Sequence, residues 1–309
     1  MINLKGRDYL TLADFNREEI WYLLELARDL KKKQKAGISH ELLKGKTLAM
    51  IFQKASTRTR VSFEAAMFHL GGLGMFLNKN ELQMGRGEPI EDTARVLARY
   101  VDGILIRTYS HQEVLDLAKY AEVPVINGLT DDFHPTQVLA DLLTIWEQQG
   151  TIAGLKMAYI GDGNNMAHSL LLAGAIMGME VTVACPQGYE PSSLVVEKAR
   201  TLAEKPEEIR VVGEPGEAVK GAQVLYTDVW ASMGQEGEAV ERRKVFANYQ
   251  INQKLLSLAE KEAIVLHCLP AHRGEEITAE VIEGPQSVVF DEAENRLHAH
   301  KAILAALLA

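Results

Sequence analysis

The chain has 309 residues, and 33 Lys+Arg against 42 Asp+Glu give it a formal charge of −9 at pH 7. With 47% hydrophobic and 24% charged residues, a disordered or collagen-like chain is excluded and apolar material for a core is ample. The acidic balance speaks against a nucleic-acid-binding surface, the two cysteines are too few for a disulfide scaffold and fit a reducing compartment, and no apolar run is long enough for a transmembrane helix. The first residues carry neither a signal-peptide nor a transit-peptide pattern, so a cytoplasmic location is expected, with no nucleic-acid or membrane partner.

In chain order, Asn16 reads as the N-cap of a first helix. Glu18 and Glu19 stand in its first turn, and Ile20, Leu23, Leu24, Ala27 and Leu30 form its apolar face. Lys31–Lys33 suit its negative end, and Gly37 stops it. Strand-length apolar runs follow at 48–52, 74–77, 103–106 and 123–126, alternating with helical patterns at 60–70, 90–100 and 112–120. A longer helical pattern at 137–148 ends at Gly150. Then come strands at 156–160, 180–184, 210–212, 223–226, 264–266 and 288–290, and a last helix from about 291 to 308. This alternation predicts an α/β chain of two doubly wound domains, each a mainly parallel sheet flanked by helices, divided near residues 148–151. Ligands of such sheets bind beyond the carboxyl ends of the strands, which directs attention to the residues found there.

Ser56-Thr57-Arg58-Thr59-Arg60 follows the first of these strands and opens a helix. Hydroxyls, guanidinium groups, helix-start amides and the helix dipole together favour an anion, although the same residues also suit an ordinary N-cap with surface arginines. The segment is not a P-loop, since the glycine spacing is missing. Arg107-Thr108 and His134-Pro135-Thr136-Gln137 occupy matching places after later strands of the same half. Together the three describe a pocket for a small, polyanionic, carbonyl-bearing ligand.

In the second half, Gly161-Asp162-Gly163-Asn164-Asn165 superficially resembles a dinucleotide fingerprint. It fails because Met166 stands where the third glycine belongs and no acid ends the next strand, which disfavours a nicotinamide cofactor. Asp228, Ser232, Met233 and Gly234 form a polar loop after the strand at 223–226, where the Asp alone would cap a turn by default. His267-Cys268-Leu269-Pro270 follows the strand at 264–266. A zinc site there lacks a second ligand cluster, and a thiol beside polar residues at a strand end suits a reactive or substrate-touching role better than a core one.

These motifs, in this order, resemble the aspartate/ornithine carbamoyltransferase family over nearly the whole chain. Ser56-Thr-Arg-Thr-Arg60 is similar to its carbamoyl phosphate signature, and Asp228-x-x-x-Ser232-Met233-Gly234 with His267-Cys268-Leu269-Pro270 is similar to its ornithine branch. The resemblance implies carbamoyl transfer from carbamoyl phosphate to the δ-amine of L-ornithine, giving citrulline and phosphate in arginine metabolism. It implies Ser56, Thr57, Arg58, Thr59, Arg107, His134, Gln137, Cys268, Leu269 and Arg296 as carbamoyl phosphate ligands, with Gln83 reaching in from a neighbouring subunit. Asn165, Asp228, Ser232 and Met233 are implied for ornithine, and Cys268, Arg107, His134 and Asp228 for catalysis.

It further implies a carbamoyl phosphate-binding domain over 1–148, an ornithine-binding domain over 149–309 whose last helix (291–309) packs back on the first, and an active site in the cleft between them. A homotrimer or a multiple of trimers, with neither metal nor organic cofactor, is expected. Alternatives are a carbamoyltransferase for putrescine, N-acetylornithine or aspartate, a non-catalytic anion sensor, and a nicotinamide dehydrogenase. Asp228 and the Ser232 loop count against putrescine, Cys268 and His134 against a sensor, and the Gly161 loop against the dehydrogenase.

Overall fold

The computed structural model describes residues 2–232 and 234–309. It divides into two compact units, the first made of residues 1–143 and 295–309, the second of residues 144–294. In the first unit, α1 (Arg17–Lys35) begins at Asn16, which accepts from the Glu19 amide (2.9 Å) while the Glu19 carboxylate accepts from the Asn16 amide (3.0 Å). This reciprocal capping satisfies two helix-start donors. The expected face of Ile20, Leu23, Leu24, Ala27 and Leu30 is fully buried, each larger side chain contributing on the order of 1.5–3 kcal/mol.

The first unit then runs β1 (Thr47–Phe52), α2 (Thr57–His69), β2 (Leu73–Asn78), α3 (Ile90–Leu97), β3 (Gly103–Arg107), α4 (His111–Tyr120), β4 (Val125–Leu129) and the start of α5 (Pro135–Gln149). Its sheet has the order β2-β1-β3-β4, with every pairing parallel. In the second unit follow β5 (Lys156–Ile160), α6 (Asn165–Met177), β6 (Glu180–Ala184), α7 (Ser193–Leu202), β7 (Ile209–Val212), α8 (Pro215–Val219), β8 (Val224–Thr227), α9 (Ala239–Val245), α10 (Gln253–Leu256), β9 (Ile264–His267) and α11 (Ala279–Ile282). Its sheet has the order β7-β6-β5-β8-β9, again all parallel. The final helix, α12 (Val289–Leu308), starts in the second unit and finishes in the first.

Strand order reverses between β1 and β3 in one sheet and between β5 and β8 in the other. A crevice opens at such a point because successive crossover helices lie on opposite faces, and ligands favour it. The doubly wound α/β expectation therefore holds for both units. The first division falls at 143/144, within α5, and the second unit ends at Glu294, within α12, whose remainder belongs to the first unit. A strand expected at 288–290 is absent. Only Ser287 bridges to Val265 there, and Val289 already opens α12, whose first turn carries Asp291 and Glu292. Acids favoured at a helix start outweigh the short β-branched run.

Candidate active site

In the first unit the expected ligands gather at the carboxyl ends of β1, β3 and β4. Ser56 is the N-cap of α2, its Oγ accepting from the Thr59 amide at 3.2 Å. The amides of Thr57 and Arg58 belong to the helix start, where no intrahelical acceptor is available. No acidic residue stands in that turn, and the Arg58 guanidinium has no hydrogen-bond or ion-pair partner among the described residues. Thr59 is buried, and its Oγ1 accepts from Ser56 Oγ (3.1 Å) and from Arg296 Nη2 (2.7 Å). Both lone pairs are thereby engaged, which leaves the hydroxyl hydrogen for a ligand.

Arg107 ends β3, and His134 precedes α5; both are about 5% exposed. Burial first, then the positive charges of Arg296 and Arg107 and the nearby His300, hold His134 well below the usual histidine range. His134 is therefore a neutral imidazole at physiological pH, able to donate one hydrogen bond. Gln137, on the first turn of α5, is buried and bonds Asp141 Oδ1 through its Nε2 (2.8 Å).

Two expected residues stand apart. Gln83 is exposed on a short 3-10 turn (Gln83–Arg86) after β2. Arg60 turns outward, with its guanidinium over the Phe76 ring (3.7 Å) and its Nε on Glu64 Oε1 (3.0 Å). Of the two guanidinium groups in the anion-favouring segment, Arg60 is thus committed elsewhere, since helical spacing directs it away from Arg58's face. One residue the sequence did not single out is Lys54. It is buried after β1, pairs with Asp131 after β4, and lies 4.3 Å from the centre of the Tyr109 ring after β3, so it ties the three ligand-bearing loops together.

In the second unit the residues converge on Asp228, just past β8. Its Oδ1 accepts from the Val229 amide (2.8 Å) and from the Cys268 thiol (3.1 Å), and its Oδ2 accepts from Asn164 Nδ2 (2.9 Å). Asn164 is also the N-cap of α6, its Oδ1 receiving the amides of Met166 (2.9 Å) and Ala167 (3.3 Å) and the Tyr159 hydroxyl (3.2 Å). It is thus Asn164 that touches Asp228, while the expected Asn165 is the first residue of α6, buried beside it. An Asn directly before an apolar helix is the sequence signal that identifies the cap. Gly163 has a packing reason: a Cβ there would lie 2.2 Å from the Pro191 nitrogen, so the glycine serves loop crossing rather than a dinucleotide.

Ser232 is half-buried and exchanges bonds with Gln235, its amide donating to Oε1 (3.0 Å) and its carbonyl accepting from the Gln235 amide (2.9 Å). Met233 lies outside the described residues. This loop is anchored by Arg242 of α9, which is buried. Its Nη1 reaches Asp162 Oδ2 and the Trp230 carbonyl (both 2.9 Å), and its Nε reaches Glu238 Oε2 (2.9 Å). Burial raises Asp162 to about 6 against the opposing pull of Arg242.

Cys268 and Leu269 follow β9, with Leu269 in the left-handed region (φ 55°) and its amide donating to His267 Nδ1 (2.9 Å). Ligand atoms of Asp228, His267 and Cys268 lie within 4.8 Å of one another. Both His267 nitrogens are engaged, however, Nδ1 by that amide and Nε2 by Glu276 Oε1 at 3.0 Å. Having no free lone pair, the histidine does not fit a metal. The other cysteine, Cys185, is buried and its thiol is pushed up to about 12, which makes it unreactive.

Residues 7–147 match the family described as aspartate/ornithine carbamoyltransferase, carbamoyl-P binding domain, and residues 153–307 match its Asp/Orn binding domain. The chain is 60% identical to an ornithine carbamoyltransferase of Pyrococcus abyssi, over all of this chain and 98% of the relative. It is 58% identical to an anabolic ornithine carbamoyltransferase of Pyrococcus furiosus, with the same coverage. The solved structure of ornithine carbamoyltransferase from Pyrococcus furiosus superposes with a TM-score of 0.96 at 58% identity, over 100% of this chain and 99% of that one. The Thermus thermophilus enzyme gives 0.88 at 44% identity, over 98% and 99%.

Proposed function

The chain belongs to the aspartate/ornithine carbamoyltransferase family, and from that premise we propose how its own residues divide the work. The activity is ornithine carbamoyl transfer: carbamoyl phosphate and L-ornithine give L-citrulline and phosphate, in the direction of arginine synthesis. The first unit binds carbamoyl phosphate and the second binds ornithine. Arg58, the hydroxyls of Ser56 and Thr57, and the helix-start amides of α2 take the phosphate. Thr59, Arg107, His134, Gln137 and Arg296 take the carbamoyl end. Asn165, Asp228, Ser232 and Met233 hold ornithine, and Cys268 and Leu269 complete the site.

The observation that carries this reading is the thiol of Cys268 directed at Asp228. A primary alkyl amine has a pKa near 10.4 and enters mostly as an ammonium ion. With its only hydrogen given to Asp228, the Cys268 sulfur has only lone pairs to offer, so it accepts a hydrogen bond from the δ-ammonium. As the amine passes a proton to sulfur, the thiol proton moves to Asp228, and the freed amine attacks the carbonyl carbon. Charge growing on the carbonyl oxygen meets Arg107, neutral His134 and the Thr59 hydroxyl, each such donor being worth roughly 10²–10³ in kcat. The C–O bond to phosphate then breaks as the attacking nitrogen gives its second proton to the departing phosphate oxygen, and Arg58 with the α2 dipole stabilises the leaving anion. Carbamoyl phosphate carries its own leaving group, so the reaction calls for neither metal nor organic cofactor.

The working assembly is a homotrimer in the cytoplasm. Three large apolar side chains, Val61 and Phe68 of α2 and Leu73 of the edge strand β2, stand more than half exposed in the single chain, as a subunit interface requires. Gln83, exposed beyond the same edge strand, is free to serve a neighbour. No helix among the described residues is long and apolar enough to cross a membrane. The test is citrulline formation with ornithine, N-acetylornithine, putrescine and aspartate compared as acceptors, alongside sedimentation for a mass about three times 34.2 kDa. Turnover of another amine in preference to ornithine would overturn the roles given to Asp228 and Ser232.

A further inference from the structure

α12 is buried along most of its length, and its buried surface includes Asn295, Arg296, His300 and Lys301. An apolar helix end such as Ala302–Leu308 tolerates sliding, because one turn of leucine and alanine packs much like the next. Polar pairs do not, since each partner left behind is a buried unsatisfied group. Toward α1, Lys31 Nζ donates to Asn295 Oδ1 (2.7 Å), and Lys301 Nζ donates to the Leu30 carbonyl (3.3 Å), Gln34 Oε1 (2.6 Å) and His40 Nε2 (3.1 Å). Toward α2, Arg296 Nη2 donates to Thr59 Oγ1 (2.7 Å), and one turn on, His300 Nδ1 lies 2.9 Å from Ser62 Oγ. The His300 ring also stacks on Phe63, with centroids 3.9 Å apart and an interplanar angle of 16°.

Ser62 Oγ lies 2.6 Å from the Arg58 carbonyl. A hydroxyl has one hydrogen to give, and directed at that carbonyl it leaves His300 as the donor through Nδ1–H. A chain of bonds thus runs from α12 through Ser62 into the turn that carries Thr57, Arg58 and Thr59. The other ring nitrogen, Nε2, is buried without a hydrogen-bond partner among the described residues, which carries a desolvation cost. Burial and the charge of Arg296 hold the ring neutral, well below the usual histidine range. A leucine would fill this position without that cost, so packing alone does not account for a histidine here.

We propose that His300 is a positioning residue for the carbamoyl phosphate site: through Ser62 it sets the register of α12 against α2 and so holds Arg296 on Thr59. Each residue of slip along α12 would move Arg296 by about 1.5 Å and turn it by about 100°. The inference rests on the assignment of Thr59 and Arg296 to carbamoyl phosphate.

The test compares His300→Leu, His300→Asn, Ser62→Ala, Arg296→Met and the double variant Arg296→Met/His300→Leu in the full-length assembled enzyme. His300→Leu and Ser62→Ala are each expected to raise KM for carbamoyl phosphate and Ki for inorganic phosphate about tenfold, the worth of one net hydrogen bond. KM for ornithine and kcat stay within about twofold; Tm of His300→Leu is unchanged or higher, because an apolar side chain replaces a buried polar one, whereas Ser62→Ala lowers Tm by leaving the buried His300 N–H unpaired. His300→Asn, which keeps an N–H near the Nδ1 position, restores most of the loss. In the Arg296→Met background, His300→Leu adds nothing, because the group it positions is gone. An unchanged KM in His300→Leu, or the same fold-change in both backgrounds, overturns the inference while the site assignment stands. An Arg296→Met enzyme with normal KM for carbamoyl phosphate overturns that assignment and the inference with it.

Discussion

Replacing Asp228 with Asn changes no volume and tests the ornithine half of the site. Donors reach both carboxylate oxygens: Val229 N and Cys268 Sγ on Oδ1, and Asn164 Nδ2 on Oδ2. An amide oxygen can keep only one of these groups. With the oxygen left toward Cys268, the new NH2 faces the NH2 of Asn164. Asn164 cannot rotate to relieve that clash without giving up the amides of Met166 and Ala167, a helix cap worth about 1 kcal/mol. One charge-assisted hydrogen bond is therefore lost, about 1.5–3 kcal/mol. The terminal proton acceptor disappears as well, typically a factor of about 10²–10⁴. Together these predict a fall of at least about 10³ in kcat/KM for ornithine, or roughly 4 kcal/mol of transition-state stabilisation. The assay is steady-state citrulline formation with each substrate varied in turn, together with phosphate inhibition. Phosphate inhibition should be unchanged, because the residues proposed to bind it lie in the first unit. A variant within about tenfold of the parent in kcat/KM, or one that loses phosphate inhibition in parallel, refutes the assignment of Asp228 to the amine.

Arg58→Ala removes an uncommitted guanidinium and should weaken phosphate inhibition by about tenfold or more while slowing turnover, and normal inhibition would remove Arg58 from the phosphate site. Cys268→Ser should lower kcat by about 10² or more with a smaller effect on carbamoyl phosphate binding, and an unchanged pH–rate profile would exclude the sulfur from proton transfer. Asp162, raised to about 6 from 3.8, favours the folded state only while protonated. Its contribution is full below about pH 3.8 and is lost as pH rises through 6, so the parent should lose up to about 3 kcal/mol over that span relative to Asp162→Asn. Parallel denaturation curves for the two between pH 4 and 6 would show that Arg242 fully compensates the buried carboxylate.

What is legible along the chain is what local chemistry can specify. Asn16 with Glu19 specifies a reciprocal cap, Ser56 specifies the start of α2, and strand–helix alternation specifies two parallel sheets, because capping and hydrophobic period act within a few residues. The strand-end rule marks Ser56–Thr59, Arg107, His134, Asp228 and Cys268 by their place in the chain alone. Tertiary structure decided the rest. Whether the β-branched run at 288–290 made a strand depended on a partner, and past the single Val265 bridge there was none. Which of two adjacent asparagines touches Asp228, and which of Arg58 and Arg60 remains uncommitted, depended on where a helix begins and which face it turns outward. The ties made by Lys54, Arg242 and His300 join residues 77, 80 and 238 positions apart. No pattern along the chain encodes such a bond, because it exists only once packing has closed the loops that separate its ends.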